Sequence, residues 1–205
     1  MNLPINAKVY CQDKLCGRAQ AVLLDPKSDI VTHVILKESV NSHAERLVPI
    51  DMIVSSLADN ILLKLTTTML QKLPTLYDVE YIQVNVPHLL EVSDLSYIEP
   101  VVVPEKIFIQ EKNYHIPTNE LPVTRGTRVH SADRYTIGSV DEFLIDPNGG
   151  QVTHLILRKR HIFGQEDVCI PVADLEKITE GDILLKIDKK DLNQLPAIPA
   201  RHLLH

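Results

Sequence analysis

The chain has 205 residues, of which 44% are hydrophobic and 23% charged, a composition that supports a folded core and excludes a disordered tail. The longest stretch without Asp, Glu, Lys or Arg is eleven residues, Pro147 to Leu157, far short of the roughly 20 apolar residues of a membrane-spanning helix. We therefore expect no transmembrane segment. An odd number of cysteines, three, is typical of reduced thiols in a cytoplasmic protein, so a cytoplasmic location is expected.

The net charge of -6 comes from 21 basic and 27 acidic side chains. It argues against a strongly nucleic-acid-binding surface, which needs clustered Lys and Arg. The charge is uneven, because residues 76–121 hold 2 basic and 8 acidic side chains. The same segment holds five of the nine aromatic residues: Tyr77, Tyr81, Tyr97, Phe108 and Tyr114. This distribution predicts a distinct acidic connector.

The sequence repeats itself at an offset of 121 residues. Gly17 to Lys37 aligns with Gly138 to Arg158, with nine identities in twenty-one positions. After a one-residue insertion, Ile61 to Lys64 is identical to Ile183 to Lys186. An internal repeat of this kind indicates two copies of one structural unit. The predicted domains are repeat 1 at 1–75, the connector at 76–121 and repeat 2 at 122–205.

Each repeat contains short segments rich in β-branched and aliphatic residues, separated by turn residues, which is the pattern of β-strands. Asp25-Pro26 and Asp146-Pro147 place Asp and Pro at the first two positions of a type I turn. Each of these turns is predicted to close a hairpin.

Other repeated positions complete the predicted unit. Gly17 and Gly138 precede the second strand, where a residue without a Cβ permits a bulge or a positive φ. Thr66 and Asp188 are helix N-cap types before a short helical stretch. Few short strands and one helical turn favour a small curved barrel. The predicted fold class is therefore all-β, with two small antiparallel β-barrels, each with a short closing helix, joined by an acidic extended connector.

The common reaction motifs are missing from the sequence. It contains no GxxxxGK, GxGxxG, HExxH, CxxC or GxSxG, the signatures of phosphate-binding loops, zinc hydrolases, thioredoxin-like proteins and serine hydrolases. The sequence therefore gives no support for an enzyme, and no cofactor or metal is expected. A catalytic site assembled from scattered residues leaves no local motif and stays an alternative.

Two pairs of side chains have a functional and a structural interpretation. His33 and His154 occupy one repeat position and are suited to metal binding or pH sensing, but strand alternation favours partly buried, hydrogen-bonded histidines. A two-residue turn at Asp13-Lys14 would make Cys11 and Cys16 a directly opposed pair that can form a redox-active disulfide. Two thiols kept reduced in the cytoplasm are the favoured interpretation.

The suspected partner-binding residues form the one basic run, whose counterpart in the first repeat, Lys37-Glu38-Ser39-Val40, lacks the cluster of basic charge. They are Arg158, Lys159, Arg160, His161 and Phe163. Guanidinium groups beside an aromatic ring suit phosphates, an acidic protein patch or anionic lipid, and a solvated hairpin is an equally good interpretation.

The connector also has two interpretations. Val101 to Pro104 and Lys106 to Gln110 look extended and too apolar to stay free in water. Packing on a barrel is the favoured expectation. The alternative is an exposed strip with aromatic anchors for a partner.

Three segments of the second repeat resemble the PRC-barrel family: Gly138 to Pro147, Gln151 to Arg158 and Asp167 to Pro171. The first repeat has the same outline, so the chain resembles a tandem PRC-barrel protein. The family includes the cytoplasmic domain of the photosynthetic reaction centre H subunit and the C-terminal domain of a ribosome maturation factor. The resemblance implies binding modules rather than catalysts.

The expected function is thus a non-enzymatic adaptor or scaffold that holds a protein partner, at a peripheral membrane complex as the H subunit does. One alternative is a ribosome or RNA-processing factor that places the basic run near RNA. Another is a small-ligand or redox-responsive stress protein.

Overall fold

The computed structural model describes residues 1–39, 44–57, 59–89, 102–161, 164–192 and 197–198. The chain divides into two compact units. One contains Met1–Leu76 and Ile116–His205, and the other is Tyr77–His115. No helix among the described residues is both long and apolar enough to cross a membrane.

The described residues of the first part of the chain form seven strands, a 3-10 helix at Ile50–Met52 and one short α-helix. They are β1 (Asn2–Pro4), β2 (Lys8–Tyr10), β3 (Leu15–Asp25), β4 (Ile30–Glu38), β5 (Glu45–Pro49), β6 (Ile53–Leu57), β7 (Asn60–Leu63) and α1 (Thr67–Leu70). The helix α1 begins after Thr66, whose hydroxyl accepts a hydrogen bond from Met69 N at 3.3 Å. Side-chain capping of this kind supplies a partner to an otherwise unpaired N–H.

The second part contains the elements that follow residue 120. They are β10 (Leu121–Thr124), β11 (Arg128–His130), β12 (Thr136–Ile145), β13 (Val152–His161), β14 (Gly164–Pro171), β15 (Leu175–Ile178), β16 (Asp182–Leu185), α2 (Lys189–Leu192) and β17 (Ala197–Ile198). The predominance of strands agrees with the all-β prediction, and the two four-residue helices follow Thr66 and Asp188.

The two sheets pair their strands in equivalent orders. The first runs β5-β4-β3-β2-β7-β6, and the second runs β15-β16-β11-β12-β13-β14-β17. In each sheet one pair is parallel, β2 with β7 and β11 with β16. The prediction of purely antiparallel sheets is therefore wrong at one pair in each sheet. β2 runs in the same direction as its neighbour β7, and β11 runs in the same direction as its neighbour β16.

The predicted barrels do not close. Among the described residues, the end strands of each sheet do not pair with each other. The free edge of β5 is covered instead by the chain after α1, since Leu47 N donates to Pro74 O at 3.0 Å and Leu76 N donates to Glu45 O at 2.7 Å. In the second sheet β17 pairs with β14 at the corresponding place. The sheets are open because the edge that would close each barrel is already paired. Residues 74–76 pair with β5 in the first sheet, and β17 pairs with β14 in the second.

The sheets exchange their first strands. β1 pairs with β12, with Leu3 opposite Phe143, and β10 pairs with β3, with Val123 opposite Val22. All four of these side chains are buried, with relative exposures of at most 1%. Burial of aliphatic and aromatic side chains is the main stabilising contribution to such a contact. Each half of this unit therefore completes the sheet of the other half.

Between β7 and β10 the chain forms a separate antiparallel hairpin. Its strands are β8 (Tyr77–Leu89) and β9 (Val102–Tyr114), paired from Tyr77 opposite Tyr114 to Leu89 opposite Val102. The two predicted extended segments thus both lie in β9, which pairs along its length with β8. Tyr97 and Val101 lie outside the described residues.

Candidate functional site

The turns predicted to close the hairpins are built around an aspartate. The carboxylate of Asp25 accepts hydrogen bonds from Lys27 N at 2.9 Å and from the Ser28 hydroxyl at 2.7 Å. At the matching turn, Asp146 accepts from Asn148 N at 3.0 Å. Pro26 and Pro147 follow these aspartates, where the fixed φ of proline fits the turn. These residues shape the backbone at the ends of β3 and β12.

Gly17 lies where two strands approach closely. A Cβ at this position would be 2.0 Å from the carbonyl oxygen of Lys37. The ladder between β2 and β3 shifts register beside it, and the ladder between β11 and β12 shifts beside Gly138. Gly17 is absent from the positive-φ glycines of the described residues. Close approach and a neighbouring bulge therefore account for this glycine.

The same bulge changes the position of the two cysteines. Tyr10 pairs with Leu15, and Cys11 N donates to Lys14 O at 2.9 Å, so Cys16 is the extra residue of the bulge. The prediction that Cys11 directly opposes Cys16 is wrong for this reason. Their Cα atoms are nevertheless 5.9 Å apart, both side chains are buried, and the structure joins them in a disulfide.

Ser131 stands where the first half has Cys11. Its hydroxyl donates to Tyr135 O and accepts from Tyr135 N, both at 3.2 Å. These hydrogen bonds close the loop between β11 and β12 without sulfur. The disulfide is therefore an addition to the first half and not a requirement of the loop.

The basic run begins on β13. Arg158 is half-buried, and its Nη2 donates to Asp141 Oδ2 at 2.7 Å. Lys159, Arg160 and His161 continue the strand, and Phe163 lies outside the described residues. The guanidinium of Arg158 is thus engaged in an ion pair within the fold. A role of the rest of the run in partner binding stays a prediction.

Asp141 joins two arginines and was not singled out from the sequence. Its other carboxylate oxygen accepts from Arg125 Nε at 2.7 Å, and its side chain is only 9% exposed. Charge-assisted hydrogen bonds on both oxygens hold this carboxylate in place. The aligned residue in the first half is Gln20, and this difference is the one sequence signal that points to the cluster. Through these contacts Asp141 on β12 links Arg125, near the start of repeat 2, to Arg158 on β13.

A second charged cluster lies on the parallel pair β11 and β16. Arg128 Nε and His130 Nε2 lie 2.9 and 3.0 Å from Asp182 Oδ1. Hydrogen bonds from His130, and then from Arg128, lower the pKa of Asp182. The hydroxyl of Thr136 lies 3.3 Å from the other ring nitrogen of His130. These contacts join the three strands β11, β12 and β16 on their exposed side.

The paired histidines have different surroundings. His33 is half-buried, with Nδ1 3.0 Å from the Thr32 hydroxyl and 3.8 Å from a carboxylate oxygen of Glu120. His154 pairs with Leu144 in β12 and is half-buried. No group of three or more His, Cys, Asp or Glu side chains among the described residues is arranged to hold a metal ion.

A cleft of about 410 Å³ opens beside the exchanged strand β10. Arg125 and Glu45 are the charged residues on its wall, and the remaining wall is formed by small, aliphatic and amide side chains. The wall residues are Asn6, Ala19, Gln20, Ala21, Ile35, Glu45, Leu76, Pro122, Thr124, Arg125 and Gly126. Sequence patterns did not indicate this cleft, because its walls come from segments more than a hundred residues apart.

The hairpin of β8 and β9 has two chemically different faces. Ile82 lies opposite Ile109 and Val84 opposite Ile107, and side chains that directly oppose each other point to the same side of a ladder. This aliphatic face consists of Ile82, Val84, Val86, Ile107 and Ile109. The aromatic face consists of Tyr77, Tyr81, Phe108 and Tyr114.

Both faces of the hairpin are open to solvent. On the aliphatic face Ile82 is 43% and Ile109 48% exposed, and on the aromatic face Tyr81 is 66% and Phe108 68% exposed. On the aromatic face Tyr77 also contacts Tyr114, with ring centroids 5.4 Å apart. Exposed aliphatic patches and exposed aromatic side chains are both typical of binding surfaces.

Comparison with known protein families matches a part of the chain. The PRC-barrel domain family matches residues 124–192, about a third of the chain, and no curated protein matches the chain. The matched segment runs from the end of β10 to the end of α2. PRC-barrel domains are generally non-catalytic and are often involved in protein interactions. Residues 124–192, in the second half of the chain, are therefore similar to the PRC-barrel domain family.

Proposed function

We propose that the protein is a non-enzymatic adaptor that holds a protein partner at a peripheral membrane complex, and that it is built from two PRC-barrel units. The exchange of β1 and β10 is the observation that carries the proposal. Two sheets that complete each other form a double scaffold whose outer surfaces stay at a fixed spacing. Such a scaffold suits simultaneous contacts with a partner.

The shared registers support the proposal of two related units. Lys8 lies opposite Asn60 in the first sheet, and Arg128 lies opposite Asp182 in the second. These positions correspond at offsets of 120 and 122 residues. Asp13 accepts from Thr67 N at 2.9 Å, and its counterpart Asp133 accepts from Lys189 N at 3.2 Å. The same local contacts therefore recur in both halves, also at repeat positions where the two residues are not identical.

An exposed surface and a charged segment support a role in partner binding. The hairpin presents two exposed apolar faces, and the basic run of the sequence continues along β13 after Arg158. Arg158 itself is engaged in the ion pair with Asp141. Lys159 and Arg160 are therefore the residues of this run to test as partner contacts.

The experiment is affinity capture of the tagged full chain from native lysate, with and without nuclease and mild detergent. We expect a stoichiometric protein partner that survives nuclease. Reversal of charge in Lys159→Glu/Arg160→Glu is expected to weaken the capture, whereas Lys177→Glu/Lys190→Glu, at exposed side chains on β15 and α2, serves as the matched control. Recovery of ribosomal proteins that nuclease removes would contradict the proposal and favour the RNA-associated alternative.

A redox-responsive role is the second candidate, and one observation favours it. The disulfide between Cys11 and Cys16 brackets Asp13, whose carboxylate accepts hydrogen bonds from Thr67 at the start of α1. Reduction would free this loop and loosen the contact with α1. A melting temperature that is the same with and without reductant would contradict this role.

A further inference from the structure

The aliphatic face of the hairpin carries a pair of like charges at one end. Glu80 lies directly opposite Glu111, one step along the ladder from Ile82 and Ile109 on the same side. Like charges that face each other across a ladder are destabilising. Both glutamates are exposed, and neither belongs to an ion pair among the described residues.

The charges of the opposite face do not compensate this pair. Lys112 lies opposite Val79 and therefore on the aromatic side of the ladder. Its ammonium group is 4.2 Å from the centre of the Tyr77 ring, a favourable cation–π distance. Among the side chains that the structure describes, the aliphatic face is thus apolar at its middle and anionic at the end that carries Glu80 and Glu111.

A two-stranded ribbon exposed on both sides is only marginally stable in water. At the middle of this face Ile82, Ile107 and Ile109 are exposed and Val84 is half-buried, so that an apolar surface is left uncovered. A segment that covered this surface and brought a cation to the glutamate pair would remove two unfavourable contributions: the exposure of apolar side chains to water and the repulsion between the two carboxylates. If the aliphatic faces of two copies of this chain packed together, each copy would instead bring further acidic side chains to the other. Residues 76–121 already hold 8 acidic and only 2 basic side chains.

We propose that the aliphatic face binds an extended segment of a partner protein in which two aliphatic residues and one Lys or Arg alternate with other residues. Positions along one side of a strand repeat about every 6.8 Å. The spacing of Val84, Ile82 and Glu80 along β8 therefore matches the pattern aliphatic-x-aliphatic-x-cation. This inference rests on the proposed adaptor function and names the partner chemistry of one of its surfaces.

The experiment selects binders from a random nonapeptide library displayed on phage, with the immobilised full chain as bait. We expect enriched peptides to contain the alternating aliphatic and basic pattern. Affinities of the enriched peptides are then measured by fluorescence anisotropy. Glu80→Gln/Glu111→Gln should weaken binding about three- to tenfold, as expected for two exposed ion pairs, and added salt should weaken wild-type binding in the same direction.

The variants are chosen so that loss of folding does not imitate loss of binding. Glu80→Gln/Glu111→Gln removes a repulsion and leaves the strands intact, and Ile82→Thr/Ile109→Thr keeps β-branched residues in the ladder. The matched control is Val54→Thr/Leu57→Thr, at two exposed aliphatic side chains of β6 outside the hairpin, which should leave affinity within about twofold, inside the usual range for surface changes.

Several outcomes would overturn the inference: no enriched peptide, enrichment of acidic peptides, equal loss in the control pair, or a wild-type dimer that Ile82→Thr/Ile109→Thr dissociates. If native capture still recovers a nuclease-resistant partner, the adaptor proposal stands and only the assignment of this face fails. If capture recovers none while peptides bind as expected, the adaptor proposal fails and the face remains a peptide-binding surface.

Discussion

Ile30 forms an antiparallel bridge with Gln151, the residue that stands 121 positions later in the repeat alignment. Backbone hydrogen bonds flank this bridge, including one from Val31 N to Gly150 O at 2.9 Å. A residue meets its own counterpart where an approximate two-fold axis relates two units, as in an isologous dimer interface. The bridge thus supports the proposed pairing of two related units within one chain.

Gly150 is predicted to be essential for this bridge. Its φ is +70, and a Cβ would lie 2.4 Å from Val31 O, whereas a Cβ on the adjacent Gly149 would have no atom within 4 Å. Gly150→Ala should therefore lower the free energy of unfolding by about 1–3 kcal/mol, measured by urea denaturation. Gly149→Ala is the matched control. Equal stability of the two variants would contradict the described bridge.

Removal of an exchanged side chain should loosen the distant sheet. Leu3 packs in the core opposite Phe143, so Leu3→Ala should cost about 2–5 kcal/mol. Hydrogen exchange followed by mass spectrometry is expected to show faster exchange in Thr136–Ile145. The control is Leu57→Ala at a side chain that is 75% exposed. Faster exchange confined to the first sheet would argue against the strand exchange.

The stability of the fold should depend on the ionisation of Asp13. The Thr67 hydroxyl, and then the Thr67 N–H, donate to its carboxylate and lower its pKa. The stabilising contribution is present above the unfolded pKa of about 3.9 and is lost as the pH falls through the lower folded value. The free energies of unfolding of wild type and Asp13→Asn should therefore differ at neutral pH and converge below about pH 4. A difference that does not change with pH would contradict this linkage.

Asp141 is predicted to stabilise the fold more than an exposed carboxylate does. Asp141→Asn removes the charge between Arg125 and Arg158 and should cost about 1–3 kcal/mol in chemical denaturation. Asp182→Asn, at a side chain that is 38% exposed, should cost less than about 1 kcal/mol. The opposite order would show that the buried cluster is not a stabilising contact.

The thiol count tests the disulfide. Under denaturing conditions without reductant, one thiol should be alkylated, that of Cys169, whose pKa is raised by burial in the folded chain. Three should be alkylated after reduction. Closing so short a loop is expected to stabilise the fold by about 2 kcal/mol. Three reactive thiols in protein purified without reductant would mean that Cys11 and Cys16 stay reduced.

The sequence predicted the local features that depend on nearby residues. The strands, the aspartate turns and the helix capped by Thr66 follow from alternation, turn chemistry and capping, which act over a few positions. A helix also follows Asp188, as the sequence predicted. The bulge at Cys16 was missed, because one extra residue shifts the ladder without changing the alternating pattern. Register is therefore the local feature that the pattern predicted least well.

The features missed at longer range depend on which segments meet. The pairing of Leu3 with Phe143 brings together residues with no shared motif, and either sheet offers a compatible strand edge. The Asp141 cluster likewise joins Arg125 and Arg158 from separate elements. In the connector, β8 and β9 have the strand pattern, but their mutual register depends on cross-strand contacts. Predicting these pairings requires the fold itself.

The most direct test of the adaptor proposal is reconstitution of the purified full chain with the partner recovered by native capture. Sedimentation velocity gives the stoichiometry of the complex, and intact mass spectrometry follows both proteins over time. The proposal predicts a complex of fixed stoichiometry in which both masses stay unchanged. Failure to form such a complex, or modification of an excess of partner by a catalytic amount of the chain, would contradict it.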